Sequence, residues 1–304
     1  MLFVEDKDIK VTKSNFIIYN DEVLKYEGKV NKTSFKDLVI ILQRRPDLIN
    51  ALAYEILNVI YILQYTTSRQ ITEYLNYVKN IEVTQLQVSK KLENLSKFSV
   101  VCKYSFVSNE NEDGTNMKIY SLDHNGSILL RSYGFNCKWQ HTDLLDTNYT
   151  KSCLIRNQYI NKLYKTTNKV TDVKIRKLNF GIGTLYNLHN SSHVIIPVRR
   201  YTDYKEKLID TFTRINQNVD SDILMLKNPI KYLIIGEDIQ HIYDIFVLLR
   251  TNKFMNENIY FNTDLKLYND DLINSFVRFG VKKQGDNVGK ICMINSSLNE
   301  FNYN

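Results

Sequence analysis

Between Thr67 and Tyr133 the apolar spacing changes from helical to alternating and back, and that order admits few folds. Thr67-Ser68-Arg69-Gln70 is a capping-box start: the threonine hydroxyl can accept from the amide three residues on while Gln70 reaches back. Ile71, Tyr74, Leu75 and Val78 then share one helical face. A second helix over Thr84 to Lys97 is expected to turn Leu86, Val88, Leu92 and Leu95 inward, leaving Gln85, Gln87, Ser89, Lys90, Lys91 and Asn94 outside. Val100, Cys102, Tyr104 and Phe106 alternate as in a half-buried strand. A polar turn over Asn109 to Asn116 leads to a returning strand at Met117 to Leu122. Asp123-His124-Asn125-Gly126 then opens a helix containing Ile128, Leu129 and Leu130. Helix, helix, hairpin, helix is the order of a winged helix-turn-helix.

The chain has 304 residues, 43% hydrophobic and 24% charged, which fits two ordinary globular domains. No apolar run approaches the roughly 20 residues that span a bilayer. The start, Met1 to Lys7, lacks a secretory pattern, so a cytoplasmic location with no membrane contact is expected. Cys102, Cys137, Cys153 and Cys292 are scattered without a Cys-x-x-Cys pair, which gives neither a disulfide scaffold nor a zinc framework. The net charge of +7 suits a polyanionic partner, although many proteins that bind none share it.

Residues 1–33 form an N-terminal extension, in which Phe16–Tyr19 and Val23–Tyr26 flank Asn20-Asp21 as a hairpin. Residues 34–135 make the winged-helix domain with flanking helices. Of these, Leu48 to Tyr65 is apolar on two faces and must be buried under the domain or against a second copy, as a homodimer. Residues 136–168 read as a linker with one long helix over Asp143 to Lys165. Residues 169–294 change rhythm. Val170–Leu178, His193–Arg199, Ile230–Gly236 and Asn258–Asn262 read as strands, and Tyr204–Asn216, Ile239–Leu249 and Asp271–Phe276 as helices. Lys290–Ile294 adds an edge strand, and 295–304 is a polar tail. Alternating strands and helices imply an α/β domain with a mixed, partly parallel sheet. The whole is thus a two-domain chain, winged helix followed by α/β.

Three short stretches resemble the replication-relaxation family of plasmid and conjugative-element proteins. They are Tyr65-Thr66-Thr67-Ser68-Arg69-Gln70-Ile71, Tyr120-Ser121-Leu122-Asp123-His124-Asn125-Gly126, and His141 to Asn148. The resemblance spans about residues 50–265. It implies a restriction-nuclease-like α/β domain behind the winged helix, with carboxylates on a strand that hold magnesium. The matching strand here, His193 to Arg200, has Pro197 and Arg199 where those carboxylates are expected, so the nuclease-like domain is degenerate and non-catalytic. Asp172, Asp203 and Glu206 are the nearby alternatives.

Glutamine and asparagine can bond adenine edges, and lysine can reach guanine or phosphate, so Gln85, Gln87, Ser89, Lys90, Lys91 and Asn94 are the candidate DNA readers. The bland alternative is a solvated helix face. Arg69 and Lys79 are candidate phosphate contacts, and Arg199, Arg200, Lys205 and Lys207 a second backbone surface. The wing tip, Asn109-Glu110-Asn111-Glu112-Asp113, argues the other way, because a wing entering a groove should be basic. His189/His193 and Cys137/His141 have four-residue spacing but fall outside helices, so no metal is expected. Gly181-Ile182-Gly183 lacks the third glycine of a dinucleotide loop, and no P-loop or nucleophile elbow occurs. No cofactor is implied. The expectation is a non-enzymatic, sequence-specific binder of double-stranded DNA in plasmid or mobile-element replication, transfer or transcriptional control. The alternatives are a module docking a replication or relaxase partner, and a metal-dependent nuclease.

Overall fold

A computed structural model describes residues 23–26, 33–107, 117–137, 147–166, 174–177, 184–187, 191–201, 203–217, 230–284, 287–296 and 298. The chain is a mixed α and β protein of two compact units, Asp21–Asn157 and Met1–Asn20 with Gln158–Asn304.

The first unit begins with β1 (Val23–Tyr26), α1 (Phe35–Arg44), a 3-10 turn (Pro46–Ile49) and α2 (Ala51–Leu63). It continues with α3 (Ser68–Tyr77), α4 (Gln85–Ser96), β2 (Val101–Val107), β3 (Lys118–Leu122) and α5 (His124–Ser132). The chain then enters α6 (Thr147–Thr166), within which the boundary between the units falls. The expected single helix from Leu48 is broken. Asn50 adopts an extended conformation and its side chain accepts from the Ala53 amide at 3.0 Å, which starts a new helix after the 3-10 turn. Ala53, Ile56, Leu57, Val59, Ile60 and Leu63 of α2 are all buried, and α2 packs against α3, β3 and α5.

β1 does not close a hairpin of its own on the described residues. It pairs antiparallel with β2, Val23 opposite Val107 and Tyr26 opposite Tyr104, and so satisfies the edge of that strand. Phe16–Tyr19 lies outside the described residues. On the far side of the β2–β3 hairpin, Thr66 forms a two-way backbone bridge to Tyr120, so the segment between α2 and α3 extends the sheet. The Asp123–Gly126 motif is structural. Asp123 caps α5, and the Asn125 amide donates to the carbonyls of Thr33 and Phe98, each at 2.9 Å. A β-carbon on Gly126 would lie 2.2 Å from the Val100 carbonyl oxygen, so only glycine allows α5 to sit so close to the chain entering β2.

The second unit holds a seven-stranded sheet built from β4 (Lys174–Lys177), β5 (Thr184–Asn187), β6 (Ser192–Pro197), β7 (Ile230–Gly236), β8 (Ile259–Thr263), β9 (Val277–Gln284) and β10 (Asn287–Asn295). The strands lie in reverse order, β10 to β4. β6, β7 and β8 are parallel and the outer pairings antiparallel. The crossovers contain α7 (Tyr204–Asn216) and α8 (Ile239–Thr251). Both bury one stripe, Leu208, Phe212 and Ile215 on α7 and Ile242, Ile245, Phe246 and Leu249 on α8, in a core with Val194, Ile196, Ile234 and Phe261. The expected helix over Asp271–Phe276 is instead a series of turns. The helix there is α9 (Asp264–Asn269), started by the Thr263 side chain, which accepts from the Lys266 amide at 3.2 Å, and ended where Asp270 turns extended. The strand β9 was not apparent in the sequence. The supposed tail is partly tied down, since the Leu298 amide donates to the Ile273 carbonyl and its side chain is buried.

The linker helix expected over Asp143–Lys165 is α6, beginning at Thr147; residues 138–146, with Trp139 and His141, are outside the described residues. Among the described residues, no helix is long and apolar enough to cross a membrane.

Candidate nucleic-acid interface

Two capping boxes set the frame. Thr67 with Gln70 starts α3 and Thr84 with Gln87 starts α4, each with both reciprocal bonds present. The turn between the helices is clamped by Asn76, whose side chain donates to the Val83 carbonyl (3.2 Å) and accepts from its amide (2.9 Å). Val88, Leu92 and Leu95 are the buried stripe of α4. Leu86 is not part of it. At 100° per residue Leu86 lies about 160° round the helix from Val88, and it is 63% exposed. The expectation that Leu86 faces inward therefore fails, because hydrophobicity alone does not place a residue on a stripe.

The outer face of α4 carries Leu86, Lys90, Glu93 and Asn94, with Ser89 at its margin. Ser89, Lys90, Glu93 and Asn94 line an open groove of about 430 Å³, together with Ser68 at the start of α3 and Lys118 and Tyr120 on β3. Glu93 would repel a polyanion if left alone, but its carboxylate meets Lys103 at 3.0 Å and Lys118 at 3.6 Å. The groove is thus lined by polar donors, with its one carboxylate matched by two ammonium groups.

The structure sorts the sequence-derived candidates. Gln85, Ser89, Lys90 and Asn94 come together around the outer face, and the Gln85 amide also reaches the Ser68 hydroxyl at 3.3 Å. Gln87 is exposed, but its side-chain oxygen accepts from the Thr84 amide at 2.8 Å and from the Thr84 hydroxyl, which holds it at the cap. Lys91 turns off this face toward the Asp47 carbonyl at 3.5 Å. Arg69 pairs with Glu73 at 2.9 Å, and Lys79 lies 3.8 Å from Glu55 at the other end of α3. Lys118 and Ser68 were missed. A lysine opening the strand that returns from the polar turn was the available signal for the first.

In the α/β unit, of the four residues of the expected second DNA surface, Arg199 is corrected. Arg199 is fully buried, and its guanidinium forms a bidentate pair with Asp264 and donates to the Ile235 carbonyl. A group with no exposure cannot meet a phosphate. Arg200 is engaged bidentately by Asp238, and Lys207 pairs with Asp203 at 3.1 Å. Lys205 is exposed beside the Tyr204 ring. β6 reads Ser-His-Val-Ile-Ile-Pro, without a carboxylate. Glu206 is exposed on α7, and Asp172, His189, Gly181–Gly183 and the wing tip Asn109–Asp113 lie outside the described residues.

His193 is buried between hydroxyls, its Nδ1 hydrogen-bonded with Tyr159 and its Nε2 3.3 Å from Ser191. Burial, with Lys231 adding to it, pushes its pKa down to about 3. His241 is likewise lowered to about 3 by burial and by Arg200 and Arg199. Both are neutral imidazoles. Among the described residues no group of three or more His, Cys, Asp or Glu is placed to hold a metal.

These parts define a helix pair and sheet with a polar, lysine-bearing groove, and an α/β unit whose charged groups at the ends of β6, β7 and β8 pair largely with one another. Comparison with protein-family models, curated proteins and solved structures gave no match.

Proposed function

We propose that residues 21–157 form a winged-helix unit that binds double-stranded DNA, with α4 entering the major groove and Lys118 at the base of the wing contacting phosphate. Like the short resemblances in the sequence, this suits a non-catalytic DNA-binding protein acting in the replication, transfer or transcriptional control of a plasmid or mobile element. The observation that carries the proposal is the outer face of α4: exposed Lys90 and Asn94 beside Lys118, with the core stripe on the opposite side. Support also comes from the strand order, in which the Tyr65–Thr66 segment, β3 and β2 lie side by side before the hairpin turns. The second helix of a helix-turn-helix, through side chains on its exposed face, is the element that reads base edges.

Anisotropy titrations of labelled duplex across a salt series test this. Lys90→Ala with Lys118→Ala should weaken binding at every sequence and reduce the slope of log affinity against log salt by about 2. An unchanged slope would remove α4 and β3 from the interface. A protein partner is the second reading, favoured by Glu110, Glu112 and Asp113 in the wing segment, where phosphate contact would be repelled. Binding to a purified replication protein without any duplex binding would support it.

A further inference from the structure

Leu86 is the most exposed large apolar side chain among the described residues, and it stands in the first turn of α4 on the side away from the core. Nothing in its own unit explains a leucine there, since Val88, Leu92 and Leu95 already fill the buried stripe. Its neighbours on the exposed face decide what it suits. Lys90 and Asn94 follow at one-turn spacing, and Ser89 and Glu93 flank them. A helix that docks in a protein groove repeats its apolar anchors at i+3, i+4 and i+7; here those positions are Ser89, Lys90 and Glu93. A lone leucine among polar groups, with Glu93 held by Lys103 and Lys118, matches a different surface, the floor of the DNA major groove. That floor offers hydrogen-bond acceptors from most base pairs and one apolar group, the 5-methyl of thymine.

We infer that Leu86 is a specificity-determining residue that packs on a thymine 5-methyl group. The target therefore contains a thymine in each bound site at the position facing the first turn of α4. This rests on the DNA-binding proposal above and adds a base identity to it. Gln87, whose oxygen is held at the cap, contributes to positioning the helix, and the discrimination falls to Leu86 with Asn94.

The experiment uses the full chain and a duplex recovered by selection from a randomised pool. Each thymine is replaced in turn by uracil, which removes only the methyl group. One replacement should lower wild-type affinity about fourfold, the value of one buried methyl-sized group. Leu86→Ala should bind the thymine and uracil duplexes equally, and Leu86→Met should retain the preference. The same salt slope for wild type and Leu86→Ala would show that the phosphate contacts are intact. Wild-type binding that is indifferent to every replacement, or a preference that survives in Leu86→Ala, would overturn the role of Leu86 while leaving DNA binding standing. Absence of binding to any duplex at low salt would overturn both.

Discussion

Asp264→Asn removes one negative charge and almost no volume from the α/β unit. Arg199 is wholly buried and the Asp264 side chain is 1% exposed, so the guanidinium would be left without its counterion in a site water does not reach. The remaining bond to the Ile235 carbonyl, at 3.2 Å, cannot replace two charge-assisted bonds. Breaking a buried pair in this way costs about 3–5 kcal/mol. That corresponds to a fall in melting temperature of roughly 10 °C for a domain of this size. The control is Asp203→Asn, which breaks the exposed pair with Lys207 and should cost less than about 1 kcal/mol. Replacing both buried partners, as Arg199→Met with Asp264→Leu, should recover most of the loss, since an apolar pair avoids the desolvation penalty. Urea and thermal unfolding followed by circular dichroism measure all three. An Asp264→Asn protein within about 1 kcal/mol of wild type would refute the account of Arg199 as a buried, charge-paired residue.

Two further outcomes follow from the packing and the buried imidazoles. Gly126→Ala would drive a methyl group into the Val100 carbonyl oxygen at 2.2 Å, and overpacking of this kind should destabilise the first unit by about 1–3 kcal/mol, read from its urea midpoint. Acid should weaken the α/β unit, because unfolded histidine takes up a proton near pH 6.5 whereas His193 and His241 do so only at about 3. Between those values the unfolded state binds more protons, so the contribution is complete above about pH 6.5 and is lost as pH falls toward 3. At pH 5 each histidine should have withdrawn about 2 kcal/mol, and His241→Gln should remove about half of the pH slope. A flat stability profile between pH 7 and pH 5 would contradict the neutral, buried assignment.

What was legible in the sequence was what is local. The capping boxes at Thr67–Gln70 and Thr84–Gln87 involve residues three apart, and both helices start where those patterns place them. β6 and β7 announce themselves as apolar runs because parallel strands are buried on both faces. What was hidden depends on partners distant in the chain. Arg199 reads as a surface cation until Asp264, 65 residues on, folds against it. The pairing of β1 with β2, about 80 residues on, has no local signal in the sequence. β9 was obscured by Arg278, Gly280 and Lys282, which break the apolar run on a strand near the sheet edge. Leu86 was misjudged for a simpler reason: its chemistry was counted, but its angle round the helix was not.

The most direct measurement is selection of bound fragments from a randomised duplex pool by the full chain, scored at low and at physiological salt. Enrichment of one sequence that survives physiological salt, and that contains the thymine required by Leu86, is the expected result. Weak binding indifferent to sequence and abolished by salt would contradict the winged-helix proposal and leave the acidic segment between β2 and β3 as the guide to a protein partner.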